Sequence, residues 1–237
     1  MFTLGHFIWL IAFAIIISGS LILTVKLKVS SKIIGTIVMI LLIIFKIFHL
    51  ALSMKPSSNG GMVLYQTQLS FHLCSIQVYL VIATKLIKNE SIVNKLKSFM
   101  VPCMIIGAFF SLLITTEGVD PSVLRVWQYM LIHATLVFYG FYLMLVEKVD
   151  LSIKSYLSNL GFLLIIAMIA MFMNSVLEQY GTNFLFLRMP PMENLPILNL
   201  NNGWYVYFIT LVMIAVILIG LVQLPFIIKG FKRKIEE

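Results

Sequence analysis

Nucleophilic acyl transfer, metal-assisted hydrolysis and polar-ligand binding each demand particular side chains, and this chain holds few of them. It has two cysteines, Cys74 and Cys103, and four histidines, His6, His49, His72 and His133. A cysteine near a base is a nucleophile for acyl groups: the thiolate attacks a carbonyl while the imidazole takes and returns the proton. Three imidazoles and a water would instead hold a catalytic zinc. No HxxxH or HExxH spacing occurs, and no carboxylate is placed to orient metal-bound imidazoles, so neither a metal site nor any cofactor is expected. Were Cys74 to act as a nucleophile, its base would come from another helix, with His133 the leading candidate. His72, two residues from Cys74, would point about 200° away from it on a helix. It joins the catalytic candidates without forming a direct pair. Cys103 reads as a small core hydrophobe.

Around these sit polar groups suited to bind a substrate. Lys46 and His49 are one helical turn apart and share a face. An ammonium inside a membrane needs a partner; Glu117, Glu178 or a lipid phosphate would serve. If residues 62–84 are helical, Gln66, Ser70, Cys74 and Gln77 share one face, and Gln68, His72, Ser75 and Tyr79 share the opposite one. A helix polar on both sides belongs at the centre of a bundle. Side-chain amides of Gln77, Gln128 or Asn174 would donate to a developing oxyanion.

The elements that must position these residues are membrane spans. The chain is 61% hydrophobic and 11% charged, with a mean hydropathy of +1.04, whereas soluble domains carry about 25% charged residues. Spanning takes about 20 mostly apolar residues. Seven segments qualify, over 4–25, 33–53, 62–84, 98–116, 126–146, 157–178 and 204–228, which predicts an all-α bundle in a single domain, 1–237. Pro102 and Pro225 lie inside spans. The loops after spans 1, 3 and 5, with the tail, hold 13 Lys and Arg, against 3 on the opposite side. The positive-inside rule therefore puts the N-terminus outside and the C-terminus in the cytoplasm, and all four histidines in the outer half. The net charge of +8 belongs to these loops and to no nucleic-acid face. Two cysteines make no disulfide framework, and no cleavable signal peptide is evident. The expected partner is membrane lipid.

Three stretches together carry a family resemblance: Ser70-Phe71-His72-Leu73-Cys74-Ser75; Ile132-His133; and Asn174 followed by Gly181-Thr182-Asn183-Phe184-Leu185-Phe186-Leu187 and Pro190. The set resembles the YwaF family of bacterial multi-spanning membrane proteins, which is related to the eukaryotic transmembrane protein 164 group. Three positions depart from the pattern: Ser70 stands for a proline, Phe184 for a tyrosine and Met189 for a basic residue. The resemblance implies a bacterial cell-membrane protein similar to lipid acyltransferases that carry the acyl group on an embedded cysteine, here Cys74. It also adds the loop residue Asn183 to the substrate-binding candidates Lys46, His49, Gln66, Gln77, Gln128 and Asn174. A non-catalytic protein that binds or transports a small polar solute or lipid is the alternative expectation.

Overall fold

A computed structural model of the chain describes residues 3–56, 61–192 and 195–236; the side chains of the tail cations Lys232, Arg233 and Lys234 lie outside those described. Its elements are α1 Leu4–Lys26, α2 Ser31–Ser53, β1 Met54–Pro56, β2 Met62–Leu64, α3 Leu73–Leu86, α4 Glu90–Cys103, α5 Phe109–Leu113, α6 Leu124–Leu145, α7 Ile153–Val176 and α8 Trp204–Glu236. A π-helical turn, Met104–Ala108, joins α4 to α5, so Glu90–Leu113 forms one span. Among the described residues, six helical segments are long and apolar enough to cross a membrane, and α3 is a shorter seventh. The chain folds as an all-α membrane bundle. Thr3, Ser30, Asn89 and Ser152 begin four of the helices, each side-chain oxygen accepting a first-turn N–H.

The helix at the centre is α6. Twelve of its 22 residues are buried, and α1, α2, α4 and α5 pack around it. Gly140 permits this: a Cβ there would stand 3.0 Å from the side chains of both Met104 and Ile105, and 3.3 Å from the Ile105 backbone nitrogen. α7 and α8 pack on α4 and on each other, and turn Ile165, Phe172, Ile209 and Ile217 outward. Outward apolar side chains are what hydrocarbon surroundings require.

The third span departs from expectation. Instead of a helix over 62–84, the strands Met54–Pro56 and Met62–Leu64 pair antiparallel, with Met54 opposite Leu64 and Pro56 opposite Met62. A 3₁₀ turn follows at Gln66–Gln68, and α3 begins at Leu73. The 14 residues of α3 rise about 21 Å, short of the roughly 30 Å hydrocarbon core. Gln66, Ser70 and Cys74 therefore share no helical face, and the 200° separation of His72 from Cys74 does not apply, because His72 caps the helix. Polar residues at this depth favour irregular backbone, which membranes tolerate where it lines a cavity. The central position expected of span 3 belongs to α6.

At the lysine-rich end, Pro102 decides the local packing. It has no amide proton for the Ser98 carbonyl four residues earlier. Asn159 Nδ2 of α7 donates to that carbonyl at 3.1 Å and also to Gln223 Oε1 of α8 at 3.3 Å. Gln223 Nε2 donates to Ser155 Oγ at 3.0 Å. These buried bonds fasten α4, α7 and α8 together, as polar side chains do between membrane helices. Lys97 and Glu147 form an ion pair at the same end.

Candidate functional site

Between α2, the α4–α5 span and α6 on one side, and α7 and α8 on the other, lies a cavity of about 1010 Å³. Its two ends differ in chemistry. At the end opposite the lysine-rich loops the walls carry Lys46, His49, Gln68, His72, Cys74, Ser75, Ser111, Glu117, Gln128, Tyr129 and His133. The remainder is an apolar trough walled by α7 from Leu160 to Met171 and by α8 from Phe208 to Ile219. Eleven residues of helix rise about 16 Å, close to half the roughly 30 Å hydrocarbon core. Phe110, Leu164, Met168 and Ile197 line this trough and are also exposed, as the rim of an open groove must be.

Cys74 lies in the first turn of α3, where the polar end meets the trough. His72 caps the helix without a side-chain bond to it. The first-turn amides have no carbonyl one turn earlier to receive them. Gly107 of the π turn packs beside the thiol: a Cβ there would stand 3.9 Å from Cys74 Sγ, an ordinary van der Waals contact. Sγ lies 3.8 Å from Ser111 Oγ. The one hydroxyl proton of Ser111 goes to the Gly107 carbonyl at 2.8 Å, so the thiol is the donor to Ser111. Cys103 is buried on the trough wall, and both cysteines are free thiols.

Three of the four histidines line the cavity. His133 Nδ1–H donates to the Tyr129 carbonyl at 2.7 Å and its ring packs on the Tyr129 ring at 4.3 Å. That bond fixes the neutral tautomer and leaves Nε2 with a lone pair. His72 packs on Phe184 and Phe186, with ring centres 5.7 and 5.3 Å away. His49 sits one turn beyond Lys46. His6 is elsewhere, its Nε2–H donating to the Leu112 carbonyl at 2.9 Å. Among the described residues no three His, Cys, Asp or Glu side chains converge as a metal would require.

Lys46 is only 6% exposed, and its ammonium donates to Ser75 Oγ at 3.2 Å. Neither expected carboxylate reaches it. Glu117 pairs with Arg125 at 2.9 Å and Glu178 with Arg188 at 2.7 Å. Among the described residues the ammonium has no anionic partner, and it lines an open cavity.

The other binding candidates separate. Gln128 lines the cavity and its Nε2 donates to the Phe45 carbonyl at 3.3 Å. Gln66 and Gln77 do not line it. Gln77 is fully buried, and among the described residues neither of its amide atoms has a hydrogen-bond partner. Asn174 and Asn183 are not on the cavity wall either; they build the loop that forms part of it. Asn174 receives the Phe184 N–H at 2.7 Å and donates to the Phe184 carbonyl at 3.1 Å. Asn183 Oδ1 accepts from the backbone of Arg188 and Met189, at 3.0 and 3.3 Å, while its Nδ2 donates to the Met189 carbonyl at 2.8 Å. These bonds hold Leu185 and Phe186 at φ of 55° and 56°, a conformation that costs side-chain-bearing residues about 1–2 kcal/mol each. Tyr207 and Trp204 of α8 bond the Phe186 and Leu187 carbonyls from behind. Strain of this kind persists only where the surroundings over-determine it.

Gln68, which the sequence placed only on a polar face, accepts from Ser53 and from Arg125 on the cavity wall. Sequence reasoning passed over Ser111 and Tyr129, which flank the thiol and the imidazole. Ser111 and Tyr129 look unremarkable in apolar helices. Only the π turn and the start of α3 bring them beside Cys74.

The family model of the TMEM164 family matches residues 1–223, a range that holds all three motifs and the whole cavity wall. No curated protein matches the chain, and no solved structure does. Six long apolar helices and a match over nearly the full length lead to one conclusion: the chain is a multi-pass membrane protein that belongs to the TMEM164 family.

Proposed function

We propose that the protein, working as a single membrane domain, holds one phospholipid of the outer leaflet of a cell membrane and transfers an acyl group through Cys74. One observation carries this reading: a polar pocket holding a buried cation runs without interruption into an apolar trough one leaflet deep, and a thiol sits at the junction. The acyl chain occupies the trough and the phosphate meets Lys46. His133 Nε2 takes the thiol proton, and Sγ attacks the ester carbonyl carbon. First-turn amides of α3 offer donors for the oxyanion. The carbon–oxygen bond then breaks, the departing lysolipid oxygen takes the proton from His133, and Cys74 is left as a thioester. The hydroxyl of a second lipid, or water, reverses these steps and frees the thiol. Without ligand the thiol donates to Ser111, so thiol and imidazole meet only in the lipid complex, where catalytic hydrogen bonds commonly tighten.

The same resting bond to Ser111 favours a second reading, in which the cavity binds or moves lipid without covalent chemistry. Acyl exchange between labelled phospholipid and lysolipid in proteoliposomes separates the two. Under the covalent reading Cys74→Ala abolishes exchange at unchanged expression, and Cys103→Ala retains it. Full exchange in Cys74→Ala overturns the covalent mechanism and leaves the binding reading.

A further inference from the structure

The base of the trough is built differently from its walls. Three helices each place a polar side chain one turn toward the lysine-rich end from a lining residue: Ser98 beneath Pro102, Asn159 beneath Leu163 and Gln223 beneath Ile219. Asn159 and Gln223 are 1% and 0% exposed. They bond to each other, to the Ser98 carbonyl and to Ser155 Oγ. We infer that this Asn159–Gln223 plug, with Leu160 and Ile219 as the floor above it, sets the longest acyl chain that the cavity accepts. The inference rests on the lipid reading of the cavity and adds its chain-length specificity.

The physical reason is an asymmetry between wall and base. A longer chain presses its terminal methyl against groups whose partners are one another, and passing them would orphan buried amides, which apolar matter cannot satisfy. Sideways, the walls consist of apolar residues whose contacts a methylene replaces without loss. Length is therefore read at the base, while the walls set thickness. Ala167 and Ala215, facing the trough from α7 and α8, are the points at which added volume would raise the effective floor.

Full-length protein is purified in mixed micelles containing equimolar dilauroyl-, dimyristoyl-, dipalmitoyl- and distearoyl-phosphatidylglycerol, so that all lengths compete in one apolar phase. Native mass spectrometry then reads which lipids are bound. Ala215→Phe, and separately Ala167→Leu, should deplete the longest bound member at least about fivefold relative to the shorter ones. That is the low end of the cost of overpacking a filled site, about 1 kcal/mol. Leu160→Ala with Ile219→Ala should shift the profile to longer chains, so the inference stands even if the bulky variants fail to fold. An unchanged profile in every folded variant overturns the ruler and leaves the lipid site intact. Absence of any bound lipid in the wild type overturns both. A shifted profile in a protein whose Cys74→Ala variant still exchanges acyl groups upholds the ruler and removes only the covalent mechanism.

Discussion

Replacing Asn174 with alanine tests whether this residue serves the loop or the substrate. Its side chain closes two buried hydrogen bonds with the backbone of Phe184, at 2.7 and 3.1 Å, and Phe184 is fully buried. Truncation leaves a donor and an acceptor without partners, each costing about 1–3 kcal/mol. The loop between α7 and α8 should therefore open more easily by at least about 2 kcal/mol. The Arg188–Met189 bond lies in that loop, held by the Asn183 bonds and the Glu178 ion pair. Where opening and closing are fast, proteolysis follows the open population, and 2 kcal/mol corresponds to roughly a thirtyfold rise. Trypsin applied to the loop face of proteoliposomes should cut after Arg188 about thirtyfold faster in Asn174→Ala. Ser175→Ala, an exposed neighbour, should leave the rate within about twofold, as surface substitutions do. An Asn174→Ala rate within about threefold of the wild type would refute the clamp.

Four other expectations follow. Gly140→Ala places a methyl 3.0 Å from two side chains and 3.3 Å from a backbone nitrogen, so its thermal midpoint in detergent should fall by the equivalent of about 1–3 kcal/mol. Gly161→Ala, with nothing within 4 Å of the new methyl, should match or slightly exceed the wild type. Lys46→Gln should weaken retention of phosphatidylglycerol by roughly tenfold or more, the loss of one charge-assisted hydrogen bond of about 1.5 kcal/mol, without changing retention of diacylglycerol; equal losses for both would remove the anion role. For orientation, a single cysteine at Asn202 in a cysteine-free background should react with an impermeant maleimide in intact cells, and one at Lys95 should not; the reverse pattern inverts the bundle.

The bundle was largely legible because each long helix is a run of apolar residues, four of them begun by a polar cap. Six of the seven segments in the sequence appear as helices within a few residues of their expected ends, apart from α4, which starts earlier at Glu90, and α8, which runs on into the tail. Span 3 was misread for a reason that itself locates the site. Val63 and Tyr65 fit an apolar helix, but Pro56 and the Gln66–Gln68 run fit a hairpin and a tight turn. Hydropathy averages over that difference. Lys46, His49, His72, Cys74, Gln128 and His133 were readable as rare polar residues at one depth, and the structure brings all six to one cavity. Asn174 carried the same signal and Asn183 entered through the family resemblance, yet the bonding of both is to loop backbone. Composition cannot tell an amide facing a ligand from one that holds a turn. The plug at the trough base was missed because Asn159 and Gln223 are distant in sequence, and nothing in either stretch shows that they bond each other beside the carbonyl that Pro102 leaves free.

The most direct test of the account is the chemical state of Cys74 during turnover. Protein incubated with phospholipid and no acceptor should be quenched in acid, digested and analysed by mass spectrometry. The account predicts an acyl mass on the peptide containing Cys74 that neutral hydroxylamine removes, together with its disappearance when lysolipid is added before the quench. Acyl exchange that proceeds while Cys74 remains a free thiol throughout would contradict it.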